Sequence, residues 1–379
     1  MNTRHHAENR KGSVLVLCVF MMILAFAVLA FAVDAAYLQL VSSQLQRSAD
    51  SAALAAASQL VTNSVLDTGG EPAQGIADAQ AVASRLAGQN PVCLASPELA
   101  VEDVVLGRLA DPYDPLSAIS ELDPTRFNAA WVRVRKTQQQ NGVVQLFFAR
   151  ALGIDSGARQ AEATAVFLDN FSGFGPPPSG GGSLMVLPLA LDKDSWDDLL
   201  AGVGRDSWTW DGDDVSCGSD GILEVNLFPQ GTGSPGNRGT VDIGSTNNST
   251  NDIARQIVEG ISADDLEHHD GALEFDENGE LFLNGDTGIS AGVKDELESI
   301  KGQPRIIPIF SSVSGPGNNA WYTIVGFAGI RIMEVKLTGN MNNKRVIIQP
   351  APVEASGGIA NTGDTQTSRF ITSKIWLIH

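Results

Sequence analysis

Residues 14–33 read VLVLCVFMMILAFAVLAFAV, twenty consecutive positions without charge or hydroxyl. At about 1.5 Å per residue such a helix spans roughly 30 Å, one bilayer core. A helix buried in a soluble core normally keeps a polar stripe; none is present, and the pattern predicts a membrane span. A cleaved signal peptide is the alternative, because Ala30-Phe31-Ala32 resembles a small-x-small cleavage site. A secretory apolar core is shorter, however, at about 7–15 residues. The pattern then changes without a break. Residues 34–60 contain no Gly or Pro, and Tyr37, Val41, Leu45, Ala49, Ala52, Ala56 and Leu60 recur at three- and four-residue steps. That is one apolar stripe of a helix. Small residues dominate its second half, so another backbone can approach closely. The stripe either packs on the chain's own head or drives self-association through Ala49, Ala52, Ala53 and Ala56. The helix is expected to stop within 62–70, where Asn63, Gly69, Gly70 and Pro72 accumulate.

Downstream the periodicity is mixed. Residues 77–86 predict a short amphipathic helix, 101–109 and 129–137 strands, 143–153 a helix ending on a glycine, and 162–168 a final strand. Residues 172–183, SGFGPPPSGGGS, are dominated by Pro and Gly and predict a linker. Beyond it the chain is turn-rich. Strands are expected over 184–191, 222–228, 273–275, 280–284, 305–313, 321–337, 345–349 and 369–378. Asn278-Gly279 lies between two alternating runs and predicts a hairpin. Helices are expected over 251–259, capped by Asn251 or Asp252, and over 292–300. The fold class is therefore α+β: a basic tail (1–13), a transmembrane helix (14–33), a long helix with a small pilin-like α+β region (34–171), a linker (172–183) and a mainly-β domain (184–379).

Composition adds limits. Of 379 residues 43% are apolar and 18% charged, enough for a folded core. Acids outnumber bases 44 to 25, for a net charge of −19, which excludes a nucleic-acid binder that needs a basic footprint. The acidity is concentrated: residues 184–300 hold 25 acids and 5 bases, whereas 301–379 hold 3 and 8. This is a solvated face or a divalent-cation site. Asp211-Gly212-Asp213-Asp214 with Asp220, and Asp276-Glu277-Asn278-Gly279, are oxygen-rich loops suited to Ca²⁺, though neither has EF-hand spacing. Asp192, Asp194, Asp197 and Asp198 suit the start of a surface helix. Cys18 lies within the span; Cys93 and Cys217 either pair or remain free thiols. No nucleophile elbow, zinc-protease or phosphate-loop motif is present. His268-His269 reads as an exposed acidic turn, and Trp196, Trp208 and Trp210 as packing residues or a sugar-stacking group. No catalytic, cofactor-binding or metal residue is assigned, and the chain is expected not to be an enzyme.

Arg4, Arg10 and Lys11 against Glu8 precede the span, and Asp34 follows it. The positive-inside rule puts the N-terminus in the cytoplasm and the bulk outside. Arg10-Lys11-Gly12-Ser13, the apolar run, Asp34, and then 44–57 (QLQRSADSAALAAA) together resemble the N-terminal segment of TadE/TadG-like proteins of tight-adherence (Flp-type) pilus assembly. Phe147-Phe148-Ala149-Arg150 with Gly153, ahead of Ala161–Ala165, is a weaker echo. Residues 236–239 and 320–332 resemble uncharacterised C-terminal regions of such proteins. Two departures stand out. Leu17 occupies the position where processed prepilins carry Glu, and Asp214-Val215-Ser216-Cys217-Gly218 lacks the second Ser of the metal site in long members. The resemblance implies a non-enzymatic, single-span component of Flp/Tad pilus assembly in the bacterial inner membrane. Its partners would be lipid through 14–33 and other proteins of that system. The alternative is a surface binding module for carbohydrate or another cell-surface ligand, with Ca²⁺ as a possible requirement, on a pilin-like stalk.

Overall fold

The structure is a computed structural model; it describes residues 11–66, 72–177, 182–228, 239–244, 249–286, 288–315, 319–340, 343–363 and 365–378. Helix α1 runs unbroken over Lys11–Leu66. Nothing from residue 13 to 66 is Gly or Pro, so no position interrupts the hydrogen-bond ladder. Its first part stands alone, and every residue from 14 to 29 is exposed. Its second part is clasped by the head. Helix α2 (Pro72–Gln89) lays Ala79, Ala83 and Ala87 against Ala49, Ala52, Ala53, Ala56 and Ala57, all fully buried in one cluster. Methyl groups on both sides let the two backbones approach closely, and the Ser48 hydroxyl reaches across to the Ala87 carbonyl at 3.2 Å.

A four-stranded antiparallel sheet completes the head, in the order Val104–Gly107, Ala129–Lys136, Arg159–Val166, Trp376–Ile378. Val132 and Val134 of one strand and Ala163 and Ala165 of the next join the helix cluster. Alternate residues of a strand share a face, so one face covers the helices. The Ala face is thus consumed within the chain. Self-association through Ala49, Ala52, Ala53 and Ala56 is corrected: none of the four has surface left for a second copy.

The region after residue 184 is β-rich, as expected, but its strands close on themselves. Leu189–Asp192 pairs with Gly239–Val241, that with Leu281–Asp286, that with the seventeen-residue strand Ala320–Lys336, and that with Pro304–Ser314. Pro304–Ser314 returns to Leu189–Asp192 in parallel, completing the ring. One core gathers Phe310, Tyr322, Ile324 and Phe327; another sets ring residues against Trp196, Ile257 and Leu297 of the surrounding helices. Phe310 and Tyr322 meet edge to face at 5.1 Å, and the Tyr322 hydroxyl donates to the Asp286 carbonyl at 3.2 Å.

Several local expectations are revised. Residues 172–174, read as linker, finish the strand Phe171–Phe174, which lies between Leu273–Glu274 and Gly358–Ala360. Gly173 is needed there, because a Cβ would sit 2.2 Å from the Leu273 carbonyl oxygen. Residues 178–181 lie outside the described residues. The Asn278-Gly279 turn forms, with Gly279 at φ +78°, yet its flanks join different sheets, so it links two layers rather than closing a hairpin. The helix Thr250–Glu259 is capped by Ser249, whose hydroxyl accepts from the Asp252 amide, not by Asn251 or Asp252. Residues 143–153 do not form an α-helix. Val144–Gln145 pairs with Ser156–Gly157 as a short arm, and only Ala149–Leu152 makes a 3₁₀ turn, closed by Gly153. Residues 236–238, part of the weaker resemblance, lie outside the described residues.

Candidate functional site: the membrane-exit helix and its clasp

Asp34 follows the last residue of the apolar run and is almost fully buried. Its carboxylate accepts three backbone N–H groups from the far side of the head: Phe147 at 2.9 Å, Phe148 at 3.0 Å and Ala149 at 2.6 Å. The 3₁₀ turn that starts at Ala149 has no cap from its own N-cap side chain. Asp34 supplies one across more than a hundred residues, satisfying donors that would otherwise be orphaned. Burial works to raise the Asp34 pKa, but the three donors outweigh it and hold the carboxyl below its ordinary value. The bond set is therefore complete at neutral pH.

The next turns of α1 repeat the device. Tyr37 packs edge to face on Phe147 at 5.0 Å, and its hydroxyl donates to Cys93 Sγ at 3.5 Å. The Cys93 contact, followed by burial, raises the Tyr37 pKa. Gln44 Oε1 accepts the Cys93 amide at 2.9 Å. It thereby pins a turn in which Cys93 and Leu94 both take left-handed φ, +52° and +64°. Gln46 donates to Asp50 at 2.8 Å and to the Glu162 carbonyl at 3.0 Å. Asp34, Gln44, Gln46, Ser48 and the Ala face all serve one purpose: they fix the head to the helix just beyond the apolar span. A second polar node braces the sheet. The buried Asp103 carboxylate meets Arg133 at 2.8 Å and Arg135 at 2.7 Å.

The other candidate chemistry is not gathered. Asp211 spends its carboxylate on the Asp213 and Asp214 amides, and Asp276 spends its own on Asn278 and Glu280. These bonds, not a ligand, depress both pKa values. Among the described residues no group of three or more His, Cys, Asp or Glu is placed to hold a metal. Asp192 caps the helix Lys193–Leu200, with Asp194 in its first turn. Trp196 is core, edge to face with Phe370. Trp208 and Trp210 lie under Lys301 and Arg331, not on an open platform. Of the two readings of Cys93 and Cys217 the structure has the second: both are free, Cys93 held by Tyr37 and Cys217 exposed in the strand Val215–Cys217. Glu267, His268 and Asp270 are exposed on a turn, as expected, while His269 is half-buried, which lowers its pKa.

Sequence reasoning set Asp34 and Phe147-Phe148-Ala149 down as separate features and missed that they bind each other. The signal was there: a lone acid at the end of an apolar run, with no partner within a helical turn. By length and composition the apolar part of α1 can cross a membrane. No curated protein and no solved structure matches the chain. Residues 12–59, the span and the clasped helix together, match the family model of putative Flp pilus-assembly TadE/G-like proteins.

Proposed function

We propose that the chain is a single-pass protein of the bacterial inner membrane that serves Flp/Tad pilus assembly without catalysing a reaction. Its N-terminus is cytoplasmic, and its head and ring region lie outside. In this reading residues 34–171, with Trp376–Ile378, are the membrane-proximal head, and most of 184–379 is a β domain carried on it. One observation carries the reading. The segment that matches the pilus-assembly family is one continuous helix, exposed and apolar for its first half and locked into its own head for its second. The flanking charges support the orientation.

Deletion in the native host tests the role. Sheared surface pili should fall, and a full-length copy should restore them, while a copy beginning at Asp34 should not. Normal pili with lost surface attachment would replace assembly by the binding-module function. Orientation has its own readout, since Cys217 is exposed. A membrane-impermeant maleimide should label it in intact spheroplasts; labelling only after lysis would reverse the topology.

A further inference from the structure

The arm that Asp34 holds has a tip that the head does not cover. It is a two-stranded projection, Val144–Gln145 against Ser156–Gly157, extended by the Leu146 amide to the Asp155 carbonyl at 3.0 Å. Between these strands Phe147, Phe148, Leu152 and Ile154 are 50–80% exposed. Four large apolar side chains exposed within eight residues form an unusual surface for a protein head.

Its position gives it an occupant. The tip is bonded through Phe147, Phe148 and Ala149 to Asp34, the residue that ends the apolar run. The helix register confirms the level: Leu38 lies beside Gly157, and farther along Gln46 reaches Glu162. The arm is therefore at the end of the head nearest the span, and 108–127 lies at the opposite end, beyond the strands Ala129–Lys136 and Arg159–Val166. A bilayer that ends at Asp34 brings its headgroup layer to the arm. Aromatic and aliphatic side chains with cations beside them are the chemistry of that layer. Arg150 is exposed in the tip and Arg159 is half-buried at its base, against one exposed acid, Asp155.

We propose that the tip 147–154 inserts into the outer-facing interface of the bilayer, as a second membrane contact that sets the tilt of the head on its anchor. The proposal rests on α1 spanning the membrane. Asp34 acts as the positioning residue that ties the two contacts together.

The test uses the full chain in nanodiscs of phosphatidylethanolamine and phosphatidylglycerol. A polarity-sensitive fluorescent amino acid is placed at Leu152, at Leu116 in the distal loop, or at Phe20 in the span. All three side chains are exposed, so the substitutions disturb no core. Lipids carrying a nitroxide near the carbonyl should remove roughly half of the emission at position 152 and leave position 116 unchanged, as expected for interfacial burial. Quenching of position 152 by aqueous iodide, with none by lipid, overturns the proposal while position 20, quenched by nitroxides near the chain ends, keeps the anchor. Shielding of position 152 from both quenchers also overturns it and means that a protein covers the tip. Loss of lipid quenching at position 20 removes the anchor itself, and the proposal with it.

Discussion

Where α1 meets α2 the fully buried residues are small: Ala49, Ala52, Ala53, Ala56 and Ala57 against Ala79, Ala83 and Ala87, with Val41 and Leu45 the larger buried residues of α1 nearer the span. In the ring large buried side chains predominate: Phe310, Tyr322, Ile324, Ile330 and Leu283. Both interiors are close-packed, but they reach that state differently. The head gains its cohesion from near contact of backbones and from polar clamps, namely Asp34, Gln44, Gln46 and Ser48. The ring gains it from side-chain volume and strand closure. Methyl-sized contacts let α2 lie close against α1 where the head grips it.

The contrast should break first at Tyr322. Tyr322→Ala removes a fully buried aromatic and should cost about 3–5 kcal/mol. Hydrogen exchange should show the ring strands losing protection while α1 and α2 keep theirs. Next is the strand that the two regions share. A chain stopped after Ser373 loses Trp376–Ile378, exposing the edge of Arg159–Val166 and removing Leu377 from the helix core. About 2–3 kcal/mol of head stability should go, with increased aggregation through the bare edge. Third, Ala52→Leu should destabilise the head by about 1–3 kcal/mol through overpacking, read as an earlier melting step for α2. The smallest effect is electrostatic and belongs to the ring region. Burial, and then repulsion from Asp252, pushes the Asp242 carboxyl up to about 6, partly offset by His268. The folded state thus binds this proton more tightly than the unfolded chain, whose value is about 3.9. Asp242 costs stability above its folded pKa, and that cost fades as pH falls through about 6 toward 4. Asp242→Asn should therefore raise the melting temperature near neutral pH and change little near pH 4. Comparing the two proteins at each pH cancels the opposing titration of His269.

What the sequence discloses divides along the same line. The span, the stripe from Tyr37 to Leu60 and the long strand Ala320–Lys336 are visible because each is a local repeat of period 3.6 or 2. The Ala stripe told that something packs closely but not what, since α2 and a second copy would present the same small face. Ring closure depends on pairing Leu191 with Ile309, more than a hundred positions apart, and the return of Trp376–Ile378 to the first sheet on pairings more than two hundred apart; local patterns encode neither. Residues 143–153 read as a helix because Gln, Leu, Ala and Arg are good helix formers. The amides of Phe147, Phe148 and Ala149 instead bond to Asp34, and a non-local acceptor outcompeted local propensity.

The central claim is that the family-matched helix anchors the chain with its first half and holds its own head with its second. The most direct measurement is photo-crosslinking in native membranes from a leucine-sized diazirine at Leu45, which is fully buried against the head, and from a photo-reactive residue at Phe20, which is exposed. The account predicts that position 45 yields only crosslinks within one chain, whereas position 20 yields lipid adducts. Adducts from position 45 to a second copy or to another envelope protein would contradict it, because the buried face of α1 would then be an intermolecular interface.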